Sequence, residues 1–247
     1  MSVTWFTADT HWGHGNIIKY CDRPFLSDED RQVYEENGNS WHNGTWKGRD
    51  ASKHRISRES IQLMDDTLID NINSYVKPND TLWHLGDVLF AKKQEYVYRA
   101  YKYLSRINCK NIHIVWGNHD SPEATDNRGR TIGTNFKSQH NLTEINVQGQ
   151  KIVLCHYAMA VWDKSHRGAW QLYGHSHAGA EPWLNRVMAG RRSMDVGVDN
   201  AALLLGEYRP FSFDEIQTIM ADRTGLAIDH HIEQNAPTEE QLINNSP

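Results

Sequence analysis

The chain has few cysteines, no apolar run long enough for a bilayer and no excess of positive charge. Its three cysteines, Cys21, Cys109 and Cys155, are an odd number without CxxC spacing. That argues against a disulfide framework and leaves buried or incidental thiols in a reducing compartment as the expectation. No stretch approaches the ~20 apolar residues that a membrane span needs. The opening MSVTWFTADTH has neither the basic segment nor the long apolar segment of a secretory signal, so a cytoplasmic location is expected. The sequons at Asn43 and Asn141 are then accidental. A net charge of −5 argues against a basic coat for gripping long duplexes, so no stable nucleic-acid complex is expected, although a local basic patch is allowed. No internal repeat is present.

Histidine is what the chain has in excess, fourteen residues in 247, alongside nine tryptophans. Histidine is the commonest metal ligand and acid–base group, so the count points to a site without locating it. The length suits one large domain, or a domain with an insertion. Short apolar runs alternate with helix-period segments. SVTWFTA, DTLWHLGD and NIHIVWGN read as buried strands, and LTEINVQGQKIVLCH as a hairpin turning at Gln148–Gly149. WQLYGHSH gives another strand, and two more are predicted near 193–198 and 202–208. Helices are predicted over 57–75, with Ser57 as N-cap and Ile61, Met64, Leu68 and Ile72 on one face, at about 93–106, and from Ser212 onward. Strand–helix alternation early and hairpins later suggest a mixed sheet covered by helices on both faces. Residues 27–56 are polar and too long for a simple connection, and the tail 236–247 has little to bury.

The strand ends share a chemistry. The first ends in Asp9-x-His11, the second in Gly86-Asp87 and the third in Gly117-Asn118-His119-Asp120. The strand after the hairpin ends in His156, and the next in Gly174-His175-x-His177. Ligands of open α/β sheets sit beyond the carboxyl ends of the strands, so these five tips are expected to form one site. Asp, His and Asn without Cys suit Zn²⁺, Mn²⁺ or Fe. Two Asp, three or four His and one Asn, up to seven donors, are too many for one ion. Shared by two divalent metal ions, with one bridging carboxylate, they would form a hydrolytic centre that activates water and clamps the attacking and leaving oxygens. Singly, a D-x-H or H-x-H is no more than a turn or a surface pair; the ordered set carries the signal.

That ordered set, standing as ADTH, LGDV, WGNHD, CHY and YGHSH, resembles the calcineurin-like metallophosphoesterase superfamily. The wording FTADTHWGHGNIIKYCDRPF and HYAMAVWDKSHRGAWQLYGHSH is similar to small single-domain phosphoesterases of bacteria and phages. The resemblance implies a four-layer αββα fold, two mixed sheets flanked by helices, over residues 1–235. It assigns Asp9, His11 and His177 to one metal and Asn118, His156 and His175 to the second, with Asp87 bridging. His119 matches a histidine that approaches the phosphate and can protonate the leaving oxygen, with Asp120 holding the loop or His119. Protein phosphatases of this superfamily read GDxxDRG and GNHE, whereas this chain has GDVLFAK and GNHD. The missing Asp-Arg pair and the GNHD form favour a phosphodiester, on a small nucleotide or cyclic nucleotide. A phosphomonoesterase or pyrophosphohydrolase with the same core, a nuclease on single-stranded nucleic acid, and a non-catalytic binding module are the alternatives.

Beyond these motifs, His14 could contact substrate phosphate or only pack the loop. Segment 42–58 holds five Lys/Arg against one Asp. It reads either as a lid whose cations, Arg49 and Arg55 among them, bind phosphate, or as a solvated insertion. Arg186, Arg191 and Arg192 read as a basic loop tip, or as lining of the same cleft.

Overall fold

The computed structural model describes residues 2–36 and 54–225. Four parallel strands, β1 (Thr4–Thr7), β2 (Thr81–His84), β3 (Asn111–Val115) and β4 (Ser138–His140), lie in the order β4-β3-β2-β1. A second sheet runs β5 (Leu142–Val147), β6 (Gln150–Cys155), β7 (Trp170–Tyr173) and β8 (Ser193–Asp195), antiparallel only at the β5–β6 hairpin. The short β9 (Phe211–Ser212) returns antiparallel beside β1. The single mixed sheet expected from strand–helix alternation is therefore two, because only Asn141 separates β4 from β5 and the chain changes sheet there. The pair of mixed sheets implied by the resemblance is what forms.

Side-chain alternation along the strands builds two cores at once. Trp5, Leu82, Ile112 and Ile114 face outward against α3 (Arg58–Tyr75) and α4 (Lys93–Leu104), meeting Met64, Leu68 and Ile72 of the one and Tyr96, Val97 and Leu104 of the other. Phe6, Trp83 and Val115 face inward, against Ile152, Leu154, Leu172 and Met194 of the second sheet. Next to Leu172, Tyr173 turns to the far face of that sheet. There its hydroxyl meets Glu181, which also accepts from Arg191 Nη2 at 2.8 Å. The Ser57 cap forms, accepting from Ser60 N, and Ser212 and Glu215 make a capping box at the last helix (Phe213–Met220).

Three expectations need correction. The strand expected at 202–208 does not form: its first four residues belong to a helix, Val198–Leu205, which stops at Gly206 with φ +75°. Its short Ala–Leu run suits either structure, and only Gly206 as a left-handed stop distinguishes them. The 27–56 insertion is not wholly a loop, since Asp28–Glu36 is helical. Its buried Asp30 accepts from Ser57 N (3.0 Å) and Ser60 Oγ (2.5 Å) and pairs with His54 (2.5 Å), which ties both ends of the insertion to α3. Arg191 is not a loop-tip cation but a buried partner of Glu181 and Tyr173. Arg49, residues 37–53 of the expected lid and the tail 236–247 lie outside the described residues. Among the described residues, no helix is long and apolar enough to cross a membrane.

Candidate metal centre

The parallel pairing of β1 and β2 continues past both strands. Asp9 N donates to Gly86 O, His11 N to Asp87 O and Trp12 N to Val88 O, each at 3.0 Å. At the other sheet, Val198 N donates to Ala8 O (3.1 Å) and Gly174 N to His156 O (3.0 Å). With His175 N donating to Asp9 Oδ2 (2.9 Å) and His119 N to Asp87 Oδ1 (2.9 Å), the five strand ends come into one place. Their turns are sharp: Asp9, His11, Asp87, His175 and His177 all have φ between +48° and +69°. Left-handed backbone is disfavoured for residues with a Cβ and gathers where function requires it. Glycines make the close approach feasible. A Cβ on Gly117 would stand 2.3 Å from Asp87 Oδ1, and one on Gly174 would stand 2.5 Å from Asp9 Oδ2.

Donor atoms of Asp9, His11 and His177 lie within 4.8 Å of one another, and so do those of Asp87, His156 and His175. Asn118 Oδ1 joins the second group, 2.8 Å from His175 Nδ1 and 3.1 Å from His156 Nε2. Asp87 Oδ2 lies between the groups, 3.5 Å from both His11 Nε2 and His156 Nε2. All seven residues expected as donors therefore lie in one cluster, with Asp87 between the two groups. The residues fit metal ions: both ring nitrogens of the buried His11 lack a hydrogen-bond partner among the described residues, a costly arrangement for a polar group unless something else binds it. The charge balance agrees. Burial, with Asp195, Asp87 and Asp199 nearby, pushes the Asp9 carboxyl well above its ordinary range. Burial, with His177 and Arg23 nearby, pulls His11 down to about 2. Crowded carboxyl groups beside a neutral His11 imidazole call for added positive charge. For Asp87 burial works upward, but His156 and the His119 N–H outweigh it and hold the carboxyl ionised.

The imidazoles are oriented from behind. His156 Nδ1 meets Leu85 O at 2.6 Å, and His177 Nδ1 meets Asp199 Oδ2 at 2.6 Å, which turns each Nε2 toward the centre. Asp199 is in turn gripped by Arg23, whose Nε and Nη2 reach its two oxygens at 2.8 Å each. Arg23 also donates to the carbonyls of Asp9 (2.7 Å) and Thr10 (3.1 Å). Asp195 accepts from Ser176 Oγ, Ala178 N and Gly197 N, fixing the His175–His177 turn. Sequence reasoning missed all three. Asp195 ends β8 and obeyed the same strand-tip rule, so it was findable; Asp199 and Arg23 carried no local signal.

His119 is exposed at the mouth, its ring 5.5 Å from His11. Asp120 is half-buried, and its carboxylate is taken up by backbone amides and a hydroxyl. It accepts from Gly117 N (2.8 Å), Asp87 N (2.9 Å), Val88 N (3.0 Å) and the Tyr96 hydroxyl (2.8 Å), so it holds two strand tips in register. His14 lies 5.4 Å from His11, ring to ring, and burial with the nearby His119 and Arg23 lowers it to about 4. Arg55 is exposed and lines a cleft with His14.

Two packed mixed sheets with an Asp/His/Asn cluster at their strand ends define the class, an α/β sandwich built around a metal-type donor site. The chain belongs to the calcineurin-like phosphoesterase superfamily, whose domain model matches residues 65–188, half of its length. That span contains Asp87, Asn118, His119, His156, His175 and His177; Asp9 and His11 precede it. An uncharacterized protein of Methanocaldococcus jannaschii is 26% identical over 216 residues, 87% of this chain and 90% of that one. A protein of unknown function from Aquifex aeolicus has a similar fold, with a TM-score of 0.52 at 18% identity over 89% of this chain and all of that one. Membership supports a hydrolase of phosphoesters, in a family that generally uses divalent metals.

Proposed function

We propose that this chain is a dinuclear metal-dependent phosphodiesterase acting on a small nucleotide-like diester. The observation that carries the reading is Asp87 Oδ2, equidistant from a histidine of each donor set. Asp9, His11 and His177 would hold one divalent ion and Asn118, His156 and His175 the other, with Asp87 shared. Mn²⁺, Fe or Zn²⁺ suits this donor chemistry. When bound, the ions supply Lewis-acid polarisation and a water of lowered pKa. The chain's own part is to position and to move one proton: His119 stands at the mouth, free to approach a leaving oxygen and protonate it. Asp120 keeps the His119 loop and the Asp87 turn in fixed relation. A diester is favoured over a monoester because the turn after Asp87, Val88-Leu89-Phe90, brings no arginine to a phosphate dianion.

The test uses chelated full-length protein titrated with Mn²⁺ in a calorimeter, then assayed on bis(p-nitrophenyl) phosphate and p-nitrophenyl phosphate. Two ions should bind, and one should be lost or weakened in Asp87→Ala together with activity. His119→Ala should lower kcat by about 10²–10⁴-fold while leaving metal stoichiometry at two. Monoester turnover exceeding diester turnover would sink the substrate preference, and unchanged activity in Asp87→Ala would sink the two-metal arrangement.

A further inference from the structure

Next to the donor cluster lies a cleft of about 450 Å³ bounded by His14, Phe90, Arg55, Lys92, Glu95 and Arg99, a size suited to a small-molecule ligand. Phe90 is 47% exposed, unusual for a large apolar side chain two residues from the buried Val88. One neighbour is the His14 ring, stacked at 4.2 Å and 16°; another is His119, at 6.2 Å in an edge arrangement. Position is thus fixed on the active-site side, and part of the ring stays open. The charges in the cleft are not equivalent. Glu95 and Arg99 satisfy each other at 2.8–2.9 Å, whereas Arg55 and Lys92 have no ion pair among the described residues. The buried His14 Nδ1 atom likewise has no hydrogen-bond partner among the described residues.

We propose that this cleft holds the leaving side of the substrate, and that the leaving alcohol is a nucleoside bearing a second phosphate. This rests on the phosphodiesterase reading. The base stacks on Phe90, as bases do on exposed aromatics without sequence preference, and the second phosphate meets Arg55 and Lys92. Phe90 lies beside His119, so a group held there presents its ester oxygen to the proton donor. In the reaction the water oxygen bonds to phosphorus and the P–O bond to the leaving 3′-oxygen breaks. That oxygen takes the His119 proton, and the proton lost by water restores His119 through solvent. A 5′-phosphorylated dinucleotide plus water gives two nucleoside 5′-monophosphates.

The test compares 5′-phosphorylated diadenylate (pApA) with unphosphorylated diadenylate (ApA) on the Mn²⁺-loaded full chain. The preference for pApA in kcat/KM should be about tenfold or more, and it should collapse toward one in Arg55→Ala and Lys92→Ala. Phe90→Ala should raise KM for both dinucleotides by about 5- to 100-fold, with Phe90→Trp retaining the affinity. Binding gives a readout independent of turnover: adenosine 5′-monophosphate should bind more tightly than adenosine by calorimetry, and the two cation variants should narrow the gap. These side chains are exposed, so unchanged melting temperatures would confirm folding. A wild-type ratio near one, or a ratio that survives both cation substitutions, overturns the assignment of the cleft. Should bis(p-nitrophenyl) phosphate itself go uncleaved, the phosphodiesterase reading fails and takes this one with it; turnover of that ester with no pApA preference removes only the cleft assignment.

Discussion

Arg23 offers the sharpest test of how the scaffold holds the site. Its side chain is 1% exposed. It makes two 2.8 Å bonds to Asp199 and caps the carbonyls of Asp9 and Thr10 at the end of β1. Arg23→Met fills similar space but leaves a buried carboxylate and two carbonyls without their donor. Breaking one side of a buried ion pair costs about 3–5 kcal/mol. For a chain of this size each kcal/mol shifts Tm by about 2–4 °C, so the variant should melt about 6–20 °C lower. The pH dependence has a definite sign. Burial alone would raise the Asp199 carboxyl, but the Arg23 charge and the bonds from His177 and Arg23 hold it well below the ordinary carboxylate range. A lowered carboxyl stabilises the fold above its unfolded pKa of about 4, and the contribution fades as pH falls below that. The gap between wild type and Arg23→Met should therefore be full at pH 7 and narrow below about pH 4. Urea midpoints of chelated protein would measure it. Removing the charge as well, in Arg23→Met/Asp199→Asn, should lose less than the two single variants summed. A cost under about 1 kcal/mol for Arg23→Met, or strict additivity in the cycle, would refute the pair as a structural support.

Burial pushes Asp65 up to about 6, against the bonds it accepts from Gly13 N (2.9 Å) and the Tyr103 hydroxyl (2.8 Å). Its ionised form thus opposes folding by up to about 3 kcal/mol above pH 6, a penalty absent below the unfolded value. Asp65→Asn should be the more stable protein at pH 7 and lose that advantage by about pH 4; a pH-independent gap in urea midpoints would contradict this. Gly174→Ala would press a methyl to 2.5 Å from Asp9 Oδ2 and 2.6 Å from Ala8 Cβ. It should lower stability by about 1–3 kcal/mol and reduce Mn²⁺ stoichiometry to one in a calorimetric titration. Asp199→Asn alone should weaken one Mn²⁺ site by about 10- to 100-fold, and equal affinities at both sites would argue against a supporting role for Asp199 behind His177.

The clustering of these seven residues was legible in the sequence, and what holds them together largely was not, for a physical reason. Each candidate donor sits at or just beyond the end of an apolar run, and three of the five ends, Gly86-Asp87, Gly117-Asn118 and Gly174-His175, add a terminal Gly. Asp195 carried the strand-end signal and could have been found by the same rule. Arg23 could not. Its partner is 176 residues away, and one arginine in a loop has no periodicity to betray a buried ion pair. Arg191 was misread for the same reason, since its burial depends on Glu181 and Tyr173, brought to it by the second sheet. The strand expected at 202–208 failed differently: an exposed Leu203 and Leu204 mimic a buried run when helix and strand periods are compared over so short a window.

The backbone explains why so much polar structure surrounds the seven candidate donors. Five of them are left-handed, and for residues with a Cβ that conformation costs about 1–2 kcal/mol each, less for aspartate. Summed, the cost approaches the whole stability of an ordinary domain, so the turns persist only if their surroundings determine them. Each turn has such a determinant. Arg23 fixes the Asp9 turn through its carbonyl, Asp120 fixes Asp87 through its amide, and Asp195 fixes His177 through Ser176 and Ala178. None of these three groups belongs to either donor set, yet each acts on the backbone of a donor or its neighbour. The cluster is better described as strained turns clamped by a ring of hydrogen-bonding polar groups than as seven side chains on a sheet edge. Substitutions in that ring should therefore disturb metal affinity and folding together, whereas an exposed group such as His119 can change the chemistry alone.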